Sequence, residues 1–385
     1  MDAAFLVRYK MKKLLKTLSL LTILLFLCFS CNNTATNTNI NTGDEPGSGG
    51  EEIVLPTEPG TNAVSSLKKI GDGVYSLEYF GDYLLDALVE ADVKDENALR
   101  EYLEGNIVNW KTYAEISSTL KITTPEGFAC SSLAAVNTDS VGGMIYGRNF
   151  DWFHDTGILT LHTKPTKGYE SISTVSLEFL KLERNWVPTD ADKQVTLLSV
   201  FAPLDGMNEK GLYVSVLVAD DKRATAQATE KHDVTTTVAV RYLLDNADSV
   251  DKALELLKSV DMQSALGMSY HFALADNTGK SVVVEWFDGE MYVTDTRVVT
   301  NHYISSVCLE KSGNTIDENT GGRYNTLIQT GSNKNWEMSQ TEVRDAMDSV
   351  KQHERTVWTV VYEGGKRKGT YYFREDYTKP VTVEF

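Results

Sequence analysis

Histidine and cysteine are scarce in this chain, six and four among 385 residues. Neither occurs at metal-ligand spacing, and no glycine-rich phosphate loop accompanies them, so no metal or cofactor is expected. Basic residues are in deficit too: 37 Lys and Arg stand against 54 Asp and Glu, a formal net charge of -17. No stripe of Lys and Arg offsets that balance, which argues against a nucleic-acid partner, because phosphate backbones need clustered cations. No internal repeat is present. With 42% hydrophobic residues the chain can bury a sizeable core, and its length suits one layered domain of mixed structure.

The long apolar run is confined to the N-terminal region. Lys12, Lys13 and Lys16 precede Leu18 to Phe29, and Ser30-Cys31 follows, so residues 1–30 read as an export signal beginning in effect at Met11. The run is short for a membrane span. Ser30-Cys31 resembles the end of a bacterial lipobox, with lipidation of Cys31 expected and an ordinary secretory signal as the alternative. Residues 31–61 are rich in Asn, Thr, Gly and Ser, which cannot bury enough surface to offset chain entropy, and read as a flexible tether. The expected location is outside the cytoplasm, anchored to a bacterial membrane through lipid.

From Asn62 to Lys121 apolar residues recur at three- and four-residue spacing. Val74, Leu77, Phe80, Leu84, Leu85, Leu88 and Val89 form one series, and Leu99, Tyr102, Leu103, Ile107 and Trp110 a second, with Asp95 as an N-cap. Residues 62–129 are therefore expected to be a helical pro-segment, ended by Pro125 and Gly127. Beyond Cys130 the pattern alternates between strands and helices. Strands are expected at Ser131–Val136, Gly143–Arg148, Leu159–Thr163, Gln194–Ala202, Leu212–Ala219, Tyr270–Asp276, Ser281–Phe287, Glu290–Asp295 and Val298–Tyr303. Helices are expected at Thr235–Asn246, Ser249–Val260, Arg323–Thr330 and Thr341–Lys351. Thr356–Tyr362 and Gly369–Arg374 close as a hairpin. This alternation predicts an α+β fold of two antiparallel sheets covered by helices.

Cys130 is the residue with the most suggestive neighbours. It lies in Gly127-Phe128-Ala129-Cys130-Ser131-Ser132, followed by Arg148 and Asp151 in Gly147-Arg148-Asn149-Phe150-Asp151. If the Ala129–Cys130 bond is cut, Cys130 gains an α-amine of ordinary pKa near ~7.7–8.0 that can act as base for its own thiol. No distant histidine is then required. His271, in Tyr270-His271-Phe272-Ala273, reads as a core residue; His302 beside Asn301 and His154 are left unassigned. The competing readings are a small buried cysteine, a structural Arg148–Asp151 pair and a Cys130–Cys308 disulfide.

Further motifs follow in order: Gly206-Met207-Asn208-Glu209-Lys210-Gly211-Leu212, Thr300-Asn301-His302, Gly322-Arg323-Tyr324 and Thr356-Val357-Trp358. Together with Cys130-Ser131-Ser132 and Gly147 to Asp151, they make the chain from Cys130 onward resemble the N-terminal nucleophile hydrolases of the choloylglycine hydrolase and linear amide hydrolase group. The resemblance implies a four-layer αββα sandwich over 130–385, preceded by the helical pro-segment. It implies Cys130 as nucleophile, Arg148 beside the sulfur, Asp151 on the α-amine, Asn301 at the oxyanion and Arg323 holding the cluster. Ala129–Cys130 would be the self-cleavage site. Bile-salt hydrolases carry a further Asn where Val216-Leu217-Val218 stands, so this chain departs from them there. The long preface is more similar to the acid ceramidase and acid amidase branch.

The expected activity is hydrolysis of a linear, non-peptide amide, an N-acyl amine or N-acyl amino acid, with a small-molecule acyl amide as partner. Acyl transfer to an amine and a non-catalytic acyl-binding lipoprotein are the alternatives, and a homo-oligomer stays open. Replacing Cys31 by Ser is expected to move the protein from the membrane fraction to the soluble one on fractionation; unchanged membrane association removes the lipid-anchor reading.

Overall fold

The computed structural model describes residues 63–107, 128–140, 143–190, 192–219 and 223–385. The signal segment, Cys31, the tether, Trp110 and the Pro125–Gly127 break lie outside the described residues.

Two sheets carry the fold. The first has nine strands in the order β1-β2-β5-β6-β7-β8-β11-β12-β13. They are β1 (Lys68–Gly71), β2 (Val74–Phe80), β5 (Ile158–Lys164), β6 (Ser171–Ser176), β7 (Asp205–Asn208), β8 (Tyr213–Val218), β11 (Tyr270–Ala275), β12 (Ser281–Phe287) and β13 (Glu290–Asp295). The second has β14 (Val298–Val299), β3 (Ala129–Asn137), β4 (Met144–Asp151), β16 (Thr356–Glu363), β17 (Lys368–Phe373) and β18 (Val381–Glu384) in that order. A two-residue strand, β15 (Glu337–Met338), pairs in parallel with β3. A short parallel pair, β9 (His232–Thr235) with β10 (Val260–Gln263), stands apart.

The sheets face each other through aromatic side chains. Tyr146 of β4 stacks on Tyr213 of β8 at 4.9 Å across the interface, and within the second sheet Phe150 stacks on its neighbour Trp358 at 4.2 Å. Asp205 of β7 lies buried between the layers, accepting from Trp358 Nε1 at 3.1 Å and Tyr362 Oη at 2.6 Å. Helices cover the outer faces. Thr236–Asn246 and Val250–Lys258 pack on the nine-stranded sheet, the second capped by the Ser249 side chain. Glu318–Asn333 and Gln340–Ser349 cover the other sheet, capped by Asp317 and by a Ser339/Glu342 capping box. Gly147 is required there: a Cβ would come within 2.7 Å of Met347 Cγ. The arrangement is the four-layer αββα sandwich expected from the sequence.

Three local expectations are corrected. Val74–Phe80 is a strand, not a helix. Tyr75, Leu77 and Tyr79 are buried while Ser76, Glu78 and Phe80 are less so or exposed, a two-residue period that the three-residue spacing of Val74, Leu77 and Phe80 masks. An Asp72-Gly73 turn, Gly73 at φ +70°, makes β1 and β2 a hairpin. Among the described residues of the preface, Ala63–Ser66, Leu85–Glu90 and Glu96–Asn106 are helical, the last capped by Asp95 as expected. Second, Gln194–Ala202 does not extend; Asp192–Phe201 coils as a 3-10 helix whose Val195, Leu197, Val200 and Phe201 pack with Tyr75, Leu77 and Leu159. Third, the stretch between the expected strands Gln194–Ala202 and Leu212–Ala219 holds a strand of its own, Asp205–Asn208. Asn208 ends β7 and ties its turn to the helix, donating to Leu244 O and Ala247 O at 2.9 and 2.7 Å and accepting from Lys210 N and Leu212 N.

Because β2 pairs in parallel with β5 along its whole length, the preface contributes strands to the sheet itself. Tyr83, just beyond β2, donates a buried hydrogen bond to Asp245 on the covering helix. Leu77 is 1% exposed, so Leu77→Ala is expected to cost roughly 2–5 kcal/mol in urea unfolding with an unchanged slope. A loss of under half a kcal/mol would mean that the hairpin is not part of the core.

Candidate active site

Alternation along β3 sorts the site into two faces. Cys130 and Ser132 point between the sheets, opposite Phe150 and Arg148 in the register with β4; Ala129 and Ser131 point toward the helices, opposite Asp151 and Asn149. The thiol and its cation therefore share the inner face, and the carboxylate lies on the other.

On the inner face Arg148 is wholly buried, yet its guanidinium is well held. Nε donates to Ser215 Oγ at 2.7 Å and pairs with Asp205 at 2.9 Å; Nη2 donates to Val216 O at 2.9 Å and to Cys130 Sγ at 3.8 Å. Phe150 and Trp358 rings lie 5.3 and 5.6 Å from its guanidinium carbon. Burial pushes the Cys130 thiol up, and the neighbouring Arg148 opposes that. Arg148 Nη1 has no partner and is buried.

On the backbone side of Cys130, its N–H donates to Asn301 Oδ1 at 2.7 Å. Arg323, on the Glu318–Asn333 helix, donates to Asn301 Oδ1 at 2.9 Å, to Ser131 Oγ at 2.8 Å and to the Cys130 carbonyl. With two donors on that oxygen, Asn301 Nδ2 faces the other way and donates to Val218 O at 2.7 Å. The apolar Val216–Val218 stretch thus enters the site through backbone carbonyls rather than side chains.

Asp151 is wholly buried. Its Oδ1 accepts from Thr356 Oγ1 at 2.6 Å, while Oδ2 has no partner. Burial raises its carboxyl to about 7, against the pull of Thr356, Arg323 and Arg148. In the uncut chain it is Asn301, rather than Asp151, that holds the Cys130 nitrogen. All five residues singled out in the sequence come together here. The supporting groups Asp205, Ser215, Thr356 and Thr320 were not assigned a role from sequence, although Thr356 sits inside a quoted motif. The disulfide reading is overturned: Cys130 and Cys308 are both free, and Cys308 packs in a separate cluster with Ala219, Phe287 and Tyr303.

A cavity of about 370 Å³ opens onto Cys130. Its lining is mostly apolar, including Phe128, Phe150, Phe179, Leu198, Phe201, Val216 and Tyr270. Leu99 and Leu103 of the Glu96–Asn106 helix also line it, so the preface forms part of the wall. His154 stacks on Trp152 and bonds Glu178 at 2.5 Å, away from the sulfur.

Residues 196–377 match the family model for acyl-coenzyme A:6-aminopenicillanic acid acyl-transferase, a span that includes Asn301 and Arg323 and begins after Cys130. Penicillin V acylase from Pectobacterium atrosepticum is 27% identical over 188 residues, 45% of this chain and 49% of that protein. The chain thus spans about half the length of that relative. Among solved structures, a variant of conjugated bile acid hydrolase from Clostridium perfringens aligns with a TM-score of 0.46 at 16% identity, covering 66% of this chain and 92% of that one. Penicillin V acylase from Agrobacterium tumefaciens aligns with a TM-score of 0.44 at 15% identity, covering 66% and 84%. The two sequence matches bear out the resemblance to the choloylglycine hydrolase and linear amide hydrolase group.

The Asp151 carboxyl carries a stability signature. Folded, it keeps its proton to about 7; unfolded, only to the ordinary carboxyl value of 3.8. Between these values the folded state binds the extra proton, so this group's contribution is full at low pH and declines as pH rises toward 7. Asp151→Asn is expected to flatten that decline in urea unfolding from pH 4 to about 7; an identical slope in wild type and variant would contradict the raised carboxyl.

Proposed function

From that likeness as premise, we propose that this chain is a cysteine N-terminal nucleophile hydrolase that cleaves linear amide C–N bonds of N-acyl amines or N-acyl amino acids. The observation that carries the reading is the placement of Cys130: its sulfur faces the buried Arg148 and an apolar cavity, and its nitrogen is held by Asn301.

Hydrolysis at Ala129–Cys130 frees the α-amine of Cys130. That amine takes the thiol proton, and the thiolate attacks the amide carbonyl carbon. Arg148 stabilises the sulfur anion. Asn301 Nδ2 carries two hydrogens, one directed to Val218 O; the other is available to the tetrahedral oxyanion. The α-ammonium returns its proton to the departing nitrogen, the C–N bond breaks, and an acyl thioester remains on Cys130. Water, deprotonated by the same amine, then releases the carboxylic acid and restores the thiol. Asp151, close to neutral range in its pKa, orients or exchanges protons with the amine once the chain is cut. The apolar lining suits a fatty or aromatic acyl group. Export and lipid attachment at Cys31 would place the reaction outside the cytoplasm.

A second reading is favoured by one observation, the match to an acyl-transferase family model: the acyl thioester passes to an amine instead of water. Intact mass of wild type beside Cys130→Ala, followed by a panel of acyl amides, tests the proposal. Wild type is expected to yield two chains and to hydrolyse at least one acyl amide, and Cys130→Ala to remain one chain without turnover. Full turnover by Cys130→Ala would falsify the assignment, and a new amide formed on adding free amine would favour transfer.

A further inference from the structure

The residue read from sequence as a core histidine has an unusual set of partners. His271 and Glu285 are direct cross-strand partners on β11 and β12, and both are wholly buried. His271 Nε2 lies 2.7 Å from the Thr300 carbonyl oxygen, and Nδ1 lies 3.1 Å from Glu285 Oε1. A carbonyl oxygen can only accept, so Nε2 carries a hydrogen. Glu285 accepts the Ile304 N–H on Oε1 at 2.8 Å and the Ser305 N–H on Oε2 at 2.7 Å. Both oxygens of Glu285 thus carry a backbone donor, and Oε1 meets His271 Nδ1 as well, so the carboxyl group is held on three sides.

What this ring grips is one peptide group. The Thr300 carbonyl goes to His271, and the N–H of the same peptide, that of Asn301, donates to Thr320 Oγ1 at 2.8 Å. The Thr300–Asn301 plane is therefore fixed from both sides, immediately before the side chain that holds Cys130 N. His302 also faces His271, whose β8 partner is the uncharged Leu217, and Cys308 acts on Glu285 from the helix over β12. His302 is held down to about 4 by burial and by the neighbouring His271, and its Nδ1 meets Thr300 Oγ1 and Thr320 Oγ1 at 3.1 and 3.2 Å.

We propose that His271 and Glu285 form a buried histidine–glutamate positioning pair that clamps the Thr300–Asn301 peptide and thereby sets Asn301 against Cys130. The pair touches neither substrate nor sulfur; it acts through Asn301. This inference rests on the proposed hydrolase reading, with a test that separates the two. Nitrogen-15 spectra of histidine-labelled wild type, with His271→Gln used for assignment, are expected to show His271 Nε2 carrying a hydrogen-bonded proton. His271→Gln and Glu285→Gln are expected to fold and to lose kcat by about 10²-fold with KM nearly unchanged, as a misplaced catalytic group does.

If wild type hydrolyses none of the amides, the proposed function fails, and the rate of Cys130 alkylation by iodoacetamide replaces kcat as the readout; a several-fold change in both variants then supports the clamp. A spectrum lacking the His271 Nε2 proton, or folded variants with wild-type kcat or alkylation rate, overturns it. Where His271→Gln fails to fold, the isosteric Glu285→Gln decides alone.

Discussion

A guanidinium sealed between two sheets organises much of this molecule. Taking Arg148 out of water carries a desolvation cost of several kcal/mol, and the surroundings must supply compensating partners. They come from the opposite sheet: Asp205 from β7, Ser215 and the Val216 carbonyl from β8. Asp205 in turn takes hydrogen bonds from Trp358 and Tyr362 on β16, so the charge pair is stitched back into the sheet that bears Arg148. The thiol of Cys130 sits at the edge of this network, where a cation can favour its ionised form beside a mostly apolar cavity.

The strand that bears Cys130 is the second organising element. Its alternation sends the sulfur inward to Arg148 and places Asp151 and Arg323 on the helix side. The backbone nitrogen of Cys130 lies between these two environments. That location is what an amine needs if it is to take a proton from sulfur on one face and be steadied by polar groups on the other. Rigid strands on both sides, together with the clamp on the Thr300–Asn301 peptide, leave these groups little freedom to drift.

The preface has a dual part in this architecture. Its hairpin extends the nine-stranded sheet, and its helix from Glu96 to Asn106 walls the cavity beside the thiol. A segment that is both sheet edge and pocket wall is bound by buried aromatic surface, with Tyr75, Tyr79 and Tyr83 all essentially inaccessible to water. The same burial explains why sequence periodicity misled there. Tyr75 and Tyr79 are inward residues of a strand, but the apolar outward Phe80 and the Val74–Leu77 spacing imitate a helix.

Much was legible in the chain itself. Composition argued against a basic nucleic-acid surface, strand and helix alternation after Cys130 gave a two-sheet fold, and motif order picked out Cys130, Arg148, Asp151, Asn301 and Arg323 as a group. Those features are local, written in residue type and period. Which end of the Asn301 side-chain amide faces Cys130, why Asp151 stays protonated to about 7, and how His271 comes to hold a peptide 29 positions away are not local. They depend on burial and on pairing between distant strands, which set desolvation and hydrogen-bond geometry only once the sheets have closed on each other.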